Sequence, residues 1–267
     1  MKVIHQLDEW LALRTQLGQG SLGRASLGFV PTMGALHEGH FALLRRSVAE
    51  NDLTALSIYV NPTQFNNPND LDNYPDTLDS DLAAAEALGV DYVLLPKYEE
   101  IYSDDFRYEV KEKSFSTSLC GEHRPGHFDG VLTVVMKLLN IVRPDRAYFG
   151  EKDYQQYLLI RDMVAAFFMP VTIVGCPTVR ESDGLALSSR NLNLDVCSRS
   201  KAPLIHELIS SDRSDEEVIT ALTAAGFEVD YISTIEGRRF AAASLQTTEK
   251  GKVRLIDNVP LTKETGT

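Results

Sequence analysis

Strand-like and helix-like segments alternate through the first two-thirds of this chain, and that alternation constrains the fold more than any other feature. Lys2–Ile4 reads as a short strand, and Leu7, Trp10, Leu11 and Leu17 mark an amphipathic helix ending near Gly18. Leu27–Val30 is a strand, followed by a helical pattern through Phe41, Leu44 and Val48. Leu53–Val60 is the next strand, closed by Asn61-Pro62, and Leu78, Leu82, Ala85 and Leu88 mark a helix stopped by Gly89. The pattern then repeats as strand Tyr92–Leu95, helix Asp129–Val142, strand Ala147–Phe149, helix Tyr154–Phe168 and strand Val171–Val174. Repeated strand–helix alternation predicts an α/β fold with a doubly wound parallel sheet.

In such sheets a ligand sits at the carboxyl ends of the strands. Four segments fall there: Pro31–His40, Asn61–Phe65, Gly150–Asp153 and Val179–Arg190. The alternation fades after about Arg190. Ser214-x-x-Glu217 is a capping box opening a helix that runs to Gly226, and Val229–Ile235 and Lys252–Ile256 read as less buried strands. The expected division is therefore 1–182 for the large domain and 183–267 for a smaller α+β domain, with residues 182–195 as the hinge.

Residues 26–44 carry the clearest chemistry. A strand feeding a helix N-terminus presents unpaired N–H groups and the positive end of the helix dipole to an anion. Gly34, Ala35 and Gly39 allow close approach to the backbone, and His37 and His40 stand one helical turn apart. A single histidine here reads as a capping or surface residue; the pair, on a glycine-containing loop after a strand, points to phosphate chemistry. There is no P-loop Lys-Ser/Thr and no Gly-x-Gly-x-x-Gly, and the His-x-Gly-His spacing is instead that of nucleotidyl-transferring enzymes.

The other segments add groups suited to the same ligand. Gln64, just past a strand, has a donor and an acceptor for a substrate hydroxyl or carboxylate, whereas Asn66 and Asn67 read as turn formers. Lys152 would oppose polyphosphate charge and Asp153 accept from a ribose hydroxyl, against the plainer reading of two surface charges. Ser188, Ser189 and Arg190 offer phosphate donors at the hinge, where they would close over ATP; the plainer reading is a polar linker. His123 and His127 sit in a stretch expected to cover the active site. Metal binding by His37, His40, His123 and His127 is the alternative, without a ligand-spaced carboxylate or thiol to support it. The acidic stretch Asp70–Asp81 reads as a solvated loop and helix start, with Asp79 and Asp81 in the first turn and a carboxylate able to help hold Mg2+.

Composition removes whole classes of function. The net charge of −12 argues against a nucleic-acid partner, which needs a Lys/Arg surplus. The start lacks a signal-peptide pattern, and no stretch approaches the ~18 apolar residues of a membrane span. Cys120, Cys176 and Cys197 are odd in number and far apart, as expected of reduced thiols in a cytoplasmic protein.

Six segments together resemble the pantoate–β-alanine ligase (pantothenate synthetase) family: Pro-Thr-Met-Gly-Ala-Leu-His-Glu-Gly-His (31–40), Val-Asn-Pro-Thr-Gln-Phe (60–65), Arg-Pro-Gly-His-Phe-Asp-Gly-Val (124–131), Phe-Gly-Glu-Lys-Asp-Tyr-Gln-Gln (149–156), Asp-Gly-Leu-Ala-Leu-Ser-Ser-Arg-Asn (183–191) and Arg-Leu-Ile-Asp-Asn (254–258). They follow the family's order and span nearly the whole chain. The resemblance implies a Rossmann-like N-terminal domain, a small C-terminal lid domain and a homodimer. It implies ATP-dependent condensation of pantoate with β-alanine, releasing AMP and pyrophosphate, with Mg2+ as cofactor.

Carried over by resemblance, Met33, Gly34, Ala35, Leu36, His37, Glu38, Gly39 and His40 would hold ATP. His40 would be the acid catalyst, with His37 and Lys152 beside it in stabilising the reacting phosphate. Gly150, Glu151, Lys152, Asp153, Val179, Leu187, Ser188, Ser189 and Arg190 would complete the ATP site. Gln64 would touch pantoate and β-alanine, and Gln156 pantoate. The chain departs from the family in Thr63, where Met is common, in Ser80, where some members carry a carboxylate, and in Asn193-Leu194-Asp195 after the last phosphate segment. The rivals are another His-x-Gly-His nucleotidyltransferase, which the two glutamines disfavour, an aminoacyl-tRNA synthetase, which the acidic charge disfavours, and a silent ligand-binding protein, which the intact His37, His40 and Lys152 disfavour.

Overall fold

The computed structural model describes residues 1–17, 25–66, 71, 74–248 and 250–261. The expected helix stop at Gly18, the turn residue Asn67 and the acidic residues Asp70 and Asp72 lie outside the described residues. The chain divides into two compact units, Met1–Glu151 with Gln155–Cys176, and Lys152–Tyr154 with the chain from Pro177 onward.

The first unit contains β1 (Lys2–Ile4), α1 (Leu7–Leu17), β2 (Leu27–Thr32), α2 (Glu38–Glu50), β3 (Leu53–Ile58), α3 (Leu78–Ala87), β4 (Tyr92–Leu94), α4 (His127–Val142), β5 (Arg146–Gly150) and β6 (Thr172–Cys176). Helix α5 (Tyr154–Ala166) begins in the three-residue stretch that packs with the second unit and continues in the first. Among the described residues, six strands pair in the order β1-β4-β3-β2-β5-β6, all parallel. This is the doubly wound sheet expected from the sequence. Strand boundaries shift by a few residues: β3 stops at Ile58 and β6 begins at Thr172.

Helices cover both faces, which is why the strands read as continuous apolar runs. Val30, Leu44, Leu56, Val93 and Tyr148 form a core with α2 and α3. Gly28 lets α2 lie directly on β2, since a Cβ there would come within 2.1 Å of Ser47 Oγ. Elsewhere Trp10 is fully buried and donates to the Ile141 carbonyl at 2.9 Å. Arg14 of α1 donates to the carbonyls of Val142 and Arg143, satisfying the C-terminal end of α4.

The sheet reverses its winding between β2 and β5. Strand β2 pairs with β3 through Thr32 but with β5 only at Gly28 and Phe29. Pro31, with no N–H to donate, falls beyond the last β5 pair. The turns leaving β2 and β5 therefore flank the topological switch point, where ligands of such sheets bind.

The second unit has α6 (Val196–Lys201), α7 (Leu204–Ile209), α8 (Asp215–Ala224), β7 (Glu228–Ile235), β8 (Arg238–Thr247) and β9 (Gly251–Pro260). Its three described strands form an antiparallel sheet in the order β7-β8-β9. The Ser214–Glu217 capping box forms as the sequence indicates, with reciprocal bonds of 2.8 and 3.2 Å. Strand β8 is missed by sequence reading because Ala241–Ala243 carries little strand propensity. These alanines are fully buried in the central strand, where small side chains suit close packing.

Candidate active site

The turn after β2 is held by a carboxylate from α3. Asp81, 3% exposed, accepts from the N–H groups of Ala35 and Leu36, both at 2.9 Å, and from Thr77 Oγ1 at 3.0 Å. Gly34 (φ +82°) and Ala35 (φ +50°) are consecutive left-handed residues that turn these N–H groups toward Asp81. The acidic stretch reads from the sequence as a solvated loop and helix start, and Asp81 departs from that reading. Asp79 is exposed, but both Asp81 oxygens are spent on the loop. Replacing Asp81 with Ala strands buried N–H groups and should cost about 2–4 kcal/mol of stability; urea unfolding measures it, and an unchanged midpoint would refute the clamp.

His37 and His40 cap α2 reciprocally. His37 Nδ1 accepts from the Gly39 N–H at 3.2 Å, and His40 Nδ1 accepts from the His37 N–H at 3.3 Å. The rings stack with centroids 4.1 Å apart at 34°. With each Nδ1 an acceptor, the proton of each neutral ring resides on Nε2. The capping reading thus holds for both residues, and the helix-end bonds leave Nε2 as the donor of each ring. Met33 and Leu36 are half-buried beside this turn, and Glu38 is exposed with its carboxylate paired to Arg45, which holds it below its ordinary pKa.

Gln64 sits on a one-turn 3-10 helix, Pro62–Gln64, after β3. Its Nε2 lies 3.1 Å from Met33 Sδ and its Oε1 accepts from Asn61 Nδ2 at 3.0 Å, so the structure brings Gln64 to the turn after β2. Asn61, buried and given no role of its own by the sequence, accepts from the Tyr102 hydroxyl at 2.8 Å. Burial pushes that hydroxyl up to about 12, which keeps it a donor. The Gln64 carbonyl accepts from His127 Nδ1 at 2.9 Å and Arg124 Nη2 at 3.2 Å, and Arg124 Nη1 stands 3.0 Å from His127 Nε2. The stretch expected as a covering loop is instead a helical turn, Cys120–His123, and the start of α4, with His127 buried.

Adjacent glutamines after β5 have opposite surroundings. Gln155 is buried and pins residues 115–120, donating to the Phe115 and Ser118 carbonyls at 2.8 Å and accepting from Cys120 N–H at 3.1 Å. Gln156 is half-buried and makes no side-chain hydrogen bond among the described residues. Gly150 and Glu151 lie at the end of β5 in the first unit.

In the second unit, Lys152, Ser188, Arg190, Asn191, Arg254 and Asp257 line one cavity. Lys152 Nζ is 3.5 Å from Asp153 Oδ2. The Val179 carbonyl accepts from Leu187 N–H at 3.0 Å, closing a loop around Gly184. Ser188 Oγ accepts from Arg190 N–H at 3.3 Å and caps the 3-10 turn Ser189–Asn193. Arg180 anchors the loop to β9 through both oxygens of Asp257, at 2.6 and 2.9 Å. Among the described residues, no group of three or more His, Cys, Asp or Glu is placed to hold a metal ion. No helix among them is long and apolar enough to cross a membrane.

A model of the family described as pantoate-beta-alanine ligase matches residues 2–260. The pantothenate synthetase of Bdellovibrio bacteriovorus is 56% identical over 88% of this chain and 92% of its own length. That of Legionella pneumophila (strain Lens) is 49% identical over 97% of this chain and 99% of its own. The crystal structure of a pantoate-beta-alanine ligase from Francisella tularensis, complexed with beta-gamma ATP and beta-alanine, superposes with a TM-score of 0.89 at 41% identity, covering 100% of this chain and 99% of that one. The pantothenate synthetase of Thermus thermophilus gives 0.87 at 38% identity, over 98% of this chain and 100% of that one.

Proposed function

This chain belongs to the pantoate–β-alanine ligase family, and from that premise we propose that it joins (R)-pantoate to β-alanine in two steps through a pantoyl-adenylate. A carboxylate is a poor acylating agent. Its oxygen first attacks the α-phosphorus of ATP, forming a P–O bond as the bond to pyrophosphate breaks. The amine of β-alanine then attacks the acyl carbon, loses a proton, and displaces AMP.

The observation that carries this reading is the reciprocal His37–His40 cap, which aligns two imidazole donors with the N-terminus of α2 beside the switch point. Charge grows on the α-phosphate and on the leaving pyrophosphate, and donors set in place beforehand stabilise it without reorganisation. Met33–His40 would hold ATP, with His40 as acid catalyst. Lys152, Ser188, Ser189 and Arg190 would bind phosphates, and Gly150, Glu151, Asp153, Val179 and Leu187 would complete the nucleotide contacts. Gln64 would bind pantoate and β-alanine, and Gln156, whose amide makes no hydrogen bond among the described residues, pantoate. Mg2+ would enter on the phosphates of its ATP substrate, consistent with Asp81 being committed to the loop. The same reading has the enzyme working in the cytoplasm as a homodimer, with no nucleic-acid or membrane partner.

Incubation with Mg2+-ATP, pantoate and β-alanine should yield pantothenate and AMP in equal amounts. The order of steps is tested by isotope exchange: pantoate alone should support incorporation of labelled pyrophosphate into ATP. Exchange that required β-alanine would rule out the adenylate.

A further inference from the structure

Lys152 occupies the 3-10 turn Glu151–Asp153, a single short turn between β5 and α5. Further contacts reach it from β8 and β9, about a hundred residues away. Asn258, 3% exposed, donates from Nδ2 to the Lys152 carbonyl at 2.9 Å. Its Oδ1 accepts from Arg238, and its backbone N–H is taken by Asp257 Oδ1 at 2.7 Å. The Arg238 bond settles which end of the amide is the donor, so the NH2 must face Lys152. The same arginine lies over the Tyr154 ring, its guanidinium carbon 3.7 Å from the centroid, and Phe240 meets that ring at 6.1 Å. Phe240 is the register partner of Asn258. The stretch Lys152–Tyr154 is thus held at both ends, by a hydrogen bond on Lys152 and by ring contacts on Tyr154.

We propose that Asn258 is a positioning residue for Lys152, fixing the backbone from which its ammonium reaches the ATP phosphates. This rests on the reading of Lys152 as a phosphate counter-charge. A long flexible side chain is only as well aimed as its Cα, and a displacement of about 1 Å at a reacting group can cost on the order of 10²-fold. Nothing in the Arg-Leu-Ile-Asp-Asn segment discloses this role, since the group recognised is a backbone carbonyl that any residue would present.

The test is a double-mutant cycle on the full chain, read by calorimetric ATP affinity and by KM for pantoate. Asn258→Ala should weaken ATP binding about 10-fold, the worth of one hydrogen bond with its positioning effect, and leave KM for pantoate unchanged. In the Lys152→Ala background, Asn258→Ala should change ATP affinity by less than about twofold, because the group it aims is gone. An equal loss in both backgrounds would overturn the positioning role while leaving Lys152 as a phosphate ligand. Unchanged ATP affinity in Lys152→Ala alone would sink the Lys152 reading and the positioning role with it. Asn258→Asp keeps the acceptor for Arg238 and the side-chain shape but has no donor for Lys152. It carries the test if the alanine variant does not fold, and wild-type ATP affinity in Asn258→Asp would refute the proposal.

Discussion

Replacing His40 with Ala is expected to lower turnover by about 10²–10³-fold, the usual loss for one pre-aimed donor. The fold should survive. His40 is half-buried at the N3 position of α2, where its Nδ1 accepts from the His37 N–H. Loss of such a cap costs about 0.5–2 kcal/mol, small against the stability of a unit built on a six-stranded sheet. Single-turnover kinetics and a thermal melt on the same preparation separate the two effects. Turnover near wild type would make His40 a cap and nothing more. His37→Ala should be less clean, because His37 is the N-cap itself and its N–H also orients His40.

The second large effect divides the substrates between residues. Gln156→Leu removes an amide that makes no hydrogen bond among the described residues, so the variant should fold normally and lose its proposed contact with pantoate. An unsatisfied buried polar group costs about 1–3 kcal/mol, which corresponds to about 5- to 150-fold in KM for pantoate. ATP affinity measured by calorimetry should be unchanged. Lys152→Ala should do the reverse, weakening ATP most, because it deletes a charge opposed to phosphate. If Gln156→Leu abolished ATP binding and spared pantoate, the assignment of the two glutamine-side and lysine-side sites would be wrong. Gln155 is the internal control: Gln155→Leu breaks three bonds to residues 115–120 and should lower stability whatever the substrate.

The contrast between Gln155 and Gln156 shows how much of the site was legible in the sequence. Both follow a strand and have identical chemistry, and only packing assigns one to the protein interior. The placement of His37, His40 and Gln64 was legible because its signal is local: a strand end, a glycine turn and a helix start lie within a few residues. The long-range bonds of Asn61, Asp81, Arg124 and His127 were not, because each is made to a backbone group or side chain that the residue's own neighbourhood in sequence does not specify. Asp81 reaches Ala35 and Leu36, more than 40 residues away, and His127 reaches the Gln64 carbonyl across 63. An acidic residue in the first turn of a helix reads as a dipole partner until a loop is seen folded against it.

By itself, the sequence determined the class of fold and the kinds of chemical group at the strand ends. Apolar periodicity is a property of each segment alone, and strand–helix alternation leaves a parallel sheet as the way to bury every segment. The tertiary structure decided what the sheet does with those groups. It set the strand order that places the switch point between β2 and β5, put a buried Ala-rich strand at the centre of the second sheet, and supplied the long-range bonds that hold Ala35, Gln64 and Lys152. The physical reason is common to all three. Backbone N–H and C=O groups are the same at every residue, so a distant side chain that binds one leaves no mark in the sequence of the segment it holds.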